Sequence, residues 1–112
     1  ANTSQRRMAA TSDATDGTHL VQLGSFYTRD AAERAWTIYQ SRHAQLDGRD
    51  LVVTQAEAGG KTYFRVAAAG FSERGAASMC STVKAGGAGC IAHAESRPLP
   101  GAIDRGVRLA SR

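Results

Sequence analysis

The side chains of this 112-residue chain that could do chemistry are few and dispersed. There are three histidines, His19, His43 and His93, and two cysteines, Cys80 and Cys90. The histidines fall in separate stretches, and His43 reads as a residue on the core edge of a helix. Ser25 with His93 would make a nucleophile and a base, but a working triad needs a carboxylate to orient the imidazole, and none is evident. The carboxylates are spread singly, without the pair that glycosidic cleavage requires. No CxxC and no Cys–His cluster offers a metal cage. The pattern therefore predicts no enzyme activity, no cofactor and no metal ion. A different chemistry is left, that of uncharged and singly charged polar groups spaced along strands. In "HLVQLGSF", residues 19–26, the amide of Gln22 stands between Val21 and Leu23. Tyr63 and Arg65 alternate in "KTYFRVAAA", and Ile91 and His93 alternate in "GCIAHAE".

These residues need elements to hold them. Residues 19–26 alternate as a strand. Residues 29–46 place Ala32, Ala35, Trp36, Tyr39, His43 and Leu46 on one helical stripe. Thr28 is its N-cap, and Asp47-Gly48 its stop. Residues 51–57, "LVVTQAE", and 61–69 are two strands joined by a hairpin turn at "AGGK". Residues 73–85 form a second helix, capped by Ser72 and closed by Gly86-Gly87, and residues 89–95 a last short strand. A shift of 45 positions lays Val21 on Val66, Phe26 on Phe71, and Ala31-Ala32 on Ala76-Ala77, which suggests two related β-α-β halves. Right-handed crossovers then put strands one and three at the centre of the sheet. The predicted fold is α+β and ferredoxin-like, βαββαβ, a four-stranded antiparallel sheet with both helices on one face.

Two helices cover one side of such a sheet, so period-two alternation decides what the other side shows. Val21, Leu23, Phe64, Val66, Ala68 and Cys90 are assigned to the helix side. Leu20, Gln22, Gly24, Tyr63, Arg65, Ala67, Ile91 and His93 are then outward. Ser25 joins them only if the strand twists or bulges near Gly24. A strip of amide, phenol, guanidinium and imidazole over small residues suits hydroxyl-rich ligands, whose C–H faces pack on aromatic rings. An ordinary solvated sheet face carries the same residue types, and composition alone does not separate the two.

The formal net charge is +4. Residues 1–17 balance Arg6 and Arg7 against Asp13 and Asp16. Residues 18–95 carry eight basic and seven acidic side chains, and residues 96–112 carry Arg97, Arg105, Arg108 and Arg112 against Asp104. The excess is in the tail, so the folded stretch is a poor candidate for phosphate-dominated binding, and no nucleic-acid partner is expected. Residues 1–17, rich in Ala, Thr, Ser and Asp, read as a flexible linker. Residues 96–112, opening "SRPLPG", read as a basic, disordered tail, with a short amphipathic piece around Ile103 to Leu109 as the alternative. The expected domain is 18–95, as a monomer. No stretch spans a bilayer and no signal peptide is visible. The chain opens on "ANTSQ" rather than Met, so any anchor or targeting segment is expected upstream.

With these residues in view, residues 18–95 resemble the SPOR (sporulation-related repeat) domain. The family opens with an apolar-Gln-apolar-Gly-Ser-Phe strand, here Val21 to Phe26. An Ala-rich helix follows, here "DAAERAW", then a Tyr/Trp-x-Arg-Val strand, here Tyr63 to Val66. Its second helix carries Ala-x-x-Cys-x-x-apolar, here Ala77, Cys80 and Val83, before a "GC" into the last strand. The resemblance implies a peptidoglycan-binding module that prefers glycan strands lacking stem peptides. It further implies a periplasmic, cell-envelope location at the division septum of a bacterium. By position it implies glycan-binding roles for Gln22, Ser25, Tyr63 and Ile91, to which the strand geometry adds Arg65 and His93. Tyr63 in place of Trp keeps a flat ring and adds a hydroxyl. One departure stands out: the family's "RVxVGPF" reads "RVAAAGF", with Ala69-Gly70 replacing Gly-Pro, which is expected to loosen the turn into the second helix. Other readings of the same fold are an RNA-binding domain and a protein-interaction domain using the edge of strand two. Cys80 and Cys90 both point to the helix–sheet interface. A disulfide there suits an oxidising periplasm, and two buried thiols are the alternative.

Overall fold

The computed structural model describes residues 17–104 and 106–109; the expected linker, residues 1–16, lies outside them, as do Arg105 and residues 110–112. The order is β1 (His19–Phe26), α1 (Arg29–Arg42), a single 3-10 turn (Ala44–Leu46), β2 (Leu51–Ala58), β3 (Lys61–Phe71), α2 (Glu73–Ala85), β4 (Ile91–Ala94) and β5 (Val107–Leu109). The strands form one antiparallel sheet in the order β4-β1-β3-β2-β5. The α+β, ferredoxin-like architecture is as predicted, with β1 and β3 central. The predicted four strands become five, because β5 pairs with the outer edge of β2.

Local chemistry explains the helix ends. Thr28 Oγ1 accepts from the Ala31 amide at 3.0 Å and Ser72 Oγ from the Gly75 amide at 2.9 Å, each satisfying a first-turn donor. The first helix stops at Arg42, earlier than its apolar stripe suggests. His43 adopts an extended conformation and caps the helix, and the chain then turns once more to bury Leu46 completely. His43 is thus a cap residue. The core lies between the helices and one sheet face: Val21, Leu23, Leu51, Val53, Val66, Ala68 and Phe71 meet Ala32, Trp36, Ala76, Met79, Cys80 and Val83. Cys80 of α2 and Cys90, just before β4, are joined as a disulfide with their Cα atoms 5.2 Å apart.

The internal repeat is real in the strands and slips in the helices. Val21 and Val66 are both fully buried on the helix side, and Phe26 and Phe71 close their strands on that side. The buried helix positions, however, are Ala32 and Ala76, one residue off the alignment of the strands. Two residues, Tyr27 and Thr28, separate Phe26 from α1, while Ser72 alone separates Phe71 from α2. The additional residue of the first half is Tyr27.

The turn after β3 is not loosened by Ala69-Gly70. A bulge there advances β3 by one residue between the pairs Val21–Ala68 and His19–Phe71. The Arg49 guanidinium lies 3.8 Å from the Phe71 ring centre and donates to the Gly70 carbonyl, and the Ala69 amide donates to Asp50 O at 2.9 Å.

Residues 96–104 and 106–109 are not a free tail. Beyond β4 the chain crosses the sheet face opposite the helices and reaches the far edge as β5. The Glu57 amide donates to Gly101 O, and the Ile103 amide to Gln55 O, both at 2.9 Å. Asp104 Oδ1 accepts from the amides of Gln55 and Gly106 at 3.2 and 3.0 Å. Glycine and proline make this stretch look unstructured by composition, but the glycines serve close approach. A Cβ at Gly101 would lie 2.7 Å from Glu57 O, and one at Gly106 2.6 Å from Val52 Cγ1; both residues have φ above +90°.

Candidate functional site

The strand register places all six predicted residues on the face away from the helices. Gln22 pairs with Ala67 on one side and Ile91 on the other, and His93 pairs with Leu20. Tyr63, Arg65 and Ala67 pair with Ala56, Thr54 and Val52 of β2. Directly paired residues share a face, so these rows form one surface.

Ser25 reaches this surface through a bulge. Between the pairs Gln22–Ala67 and Gly24–Val66, β1 advances two residues while β3 advances one. Leu23 and Gly24 consequently both face the helices, and Ser25 emerges outward, paired with Arg65. Gly24, expected outward by strict alternation, is corrected to the inner side. A Cβ there would collide with the Tyr39 hydroxyl, which donates to Leu23 O at 3.1 Å. The hydroxyl of α1 thus occupies the space a side chain would need, and pins the bulge that turns Ser25 out. The phenol of Tyr39 has its pKa raised, chiefly by burial and partly offset by the nearby Arg42 charge.

Two halves of the face differ. At one end Ser25 is exposed and Tyr63 is half-buried, while Ile91, farther along beside Gln22, keeps 47% of its surface open. Tyr27, 69% exposed, sets its ring 5.4 Å from that of Tyr63 with a tilt of 33°. Tyr27 was not found from the sequence, although the one-residue difference between the two β-α turns was its signal. At the other end the 96–109 segment covers the face. Arg65 donates from Nη2 to Pro100 O at 2.7 Å and from Nη1 to Leu99 O at 3.4 Å. His93 Nδ1 lies 3.0 Å from Ala94 O and 3.2 Å from Arg97 O. Carbonyls only accept, so Nδ1 is the donor in these contacts. Beneath the segment lie Leu20, Val52, Ala67 and Ala69, all buried, as a separate apolar patch. This half of the surface was read as open, and the segment's backbone is what closes it.

The arrangement is one of recognition groups. Ser25 and His93 attach to positions of β1 five residues apart, roughly 15 Å along the strand, so the structure does not bring them together. Among the described residues no three His, Cys, Asp or Glu side chains gather as a metal site, and no helix is long and apolar enough to cross a membrane. The edge of β2, considered as a docking edge, is occupied by β5.

Comparison with known proteins gives one match. The family model described as SPOR domain matches residues 15–92, more than half of the chain. No curated protein and no solved structure gives a significant match. The match spans β1 through the start of β4, and so takes in every predicted site residue except His93. The chain belongs to the SPOR domain family, a family of non-catalytic, peptidoglycan-binding modules associated with the cell envelope and its division.

Proposed function

We propose that this domain binds the glycan strands of peptidoglycan after their stem peptides have been removed, and carries its parent protein to the division septum on the periplasmic side. The observation that carries the reading is the exposed end of the sheet, where the Tyr27–Tyr63 pair stands next to Ser25, with Gln22 and Ile91 farther along the same face. Tilted aromatic rings offer flat apolar surface to the C–H face of a sugar, and the neighbouring hydroxyl and amide exchange hydrogen bonds with its hydroxyl and acetamido groups. Stem peptides project from the same sugars and would stand between the rings and the glycan. Arg65, paired with Ser25, and His93, toward the other end of β1, belong to the same ligand surface and supply further donors. The domain acts as a monomer, needs no cofactor, and leaves the glycan uncut. Cosedimentation with purified sacculi, before and after amidase digestion, tests this: binding should increase on digestion, and Tyr27→Ala and Tyr63→Ala should each reduce it.

A further inference from the structure

We propose that the segment from Ser96 to Leu109 is a built-in competitor for the sheet face, closed over half of the site and lifted when a long glycan strand binds. The inference rests on the glycan reading above and concerns how much of the face is available. The segment engages the face through the groups a sugar would use. Arg65 is directed onto the carbonyls of Leu99 and Pro100, and His93 Nδ1 onto that of Arg97. A backbone carbonyl and an acetamido carbonyl are the same acceptor, so the segment presents to the sheet what an N-acetylated sugar presents.

Space and anchorage agree with competition. The recess left between segment and sheet, lined by Gln22, Thr54, Arg65 and His93, measures about 20 Å³. That is room for a water molecule and not for a sugar ring, so glycan reaches these side chains only when the segment moves. Most of its attachments are polar and near the surface, although Leu109 packs against the edge of the main core. Arg108 clasps Asp50 at 2.9 Å and Glu95 at 3.1 Å, tying the end of the segment back to its start. The apolar side chains Ile103 and Val107 remain 53% and 44% exposed, so they bury little. Elements with few buried apolar contacts are those that open locally. The floor they uncover, Leu20, Val52, Ala67 and Ala69, is an apolar strip rimmed by polar groups, a fit for sugar C–H faces.

The test uses the full chain with the clasp or the close approach removed, as Arg108→Glu, Gly101→Val, and both together. Release is read from hydrogen exchange at the Gln55 and Glu57 amides, which donate to the segment. Binding is read on amidase-treated sacculi. A cover closed nine-tenths of the time lowers apparent affinity about tenfold, so release should tighten binding by about that factor. Adding Arg65→Ala should remove the gain. If the two amides exchange freely while binding stays the same or weakens, the segment is no competitor. If the amides stay protected in both variants and in Asp104→Ala, which removes a further anchor, the clasp does not hold the cover and the proposal fails. If folded wild type and released variants alike ignore sacculi, the glycan reading itself fails, and competition with it.

Discussion

Substituting Gly24 by Ala should destabilise the domain by about 1–3 kcal/mol, the usual cost of forcing a group into a filled site, because the new methyl meets the Tyr39 hydroxyl. Tyr39→Phe alone should cost about 0.5–1.5 kcal/mol for the bond to Leu23 O. In the double variant the costs should be less than additive, since the phenyl ring no longer carries the colliding atom; urea denaturation of the four proteins measures this. The Tyr39 phenol also sets an alkaline limit. Its pKa is raised in the folded state, so its stabilising effect is complete below the ordinary phenol value near 10 and is lost as pH rises through the folded value. Wild type should therefore lose stability above pH 10 more steeply than Tyr39→Phe. On the ligand side, Tyr27→Ala and Tyr63→Ala should each weaken glycan binding by roughly two- to tenfold, the range of one aromatic contact, with unchanged circular dichroism.

At the level of elements, the two helices, the four main strands and both N-caps were legible because each rests on a local rule: apolar period, hydroxyl before the first turn, glycine after the last. The strand faces were legible for Gln22, Tyr63, Arg65, Ile91 and His93 for the same reason. Ser25 was not decided by alternation, because the bulge that exposes it depends on a tyrosine fifteen positions beyond Gly24 in another element. Tyr27 and the course of residues 96–109 were missed. Both depend on long-range packing: a ring finding Tyr63, and a segment ordered largely by the sheet surface it crosses. Arg49 is a third such case, holding the β3–α2 turn that Ala69-Gly70 alone would leave slack. The Cys80–Cys90 bridge joins α2 to the residue before β4, ten positions on. Reducing it should lower stability by roughly 2–3 kcal/mol on the loop-entropy model. Thiol titration of the oxidised, denatured protein should find no free thiol.

On the scale of the whole molecule, charge separates the possible partners. The positive excess lies toward the C-terminus, where Arg97 and Arg108 accompany the covering segment, and the sheet body is close to neutral. Glycan binding through rings, amides and one guanidinium should change little between about 50 and 200 mM salt, whereas phosphate-led binding of RNA would fall by orders of magnitude over that range. The fold has one uncovered sheet end with paired aromatics and one half closed by its own chain, which suits a partner met only when long glycan strands are bared. Cosedimentation of the full chain with sacculi, untreated and amidase-digested, measures this most directly. The account predicts weak binding to intact sacculi, stronger binding after digestion, and loss of the increase in a Tyr27→Ala, Tyr63→Ala double variant. Equal binding before and after digestion, or an increase that survives loss of both rings, would contradict it.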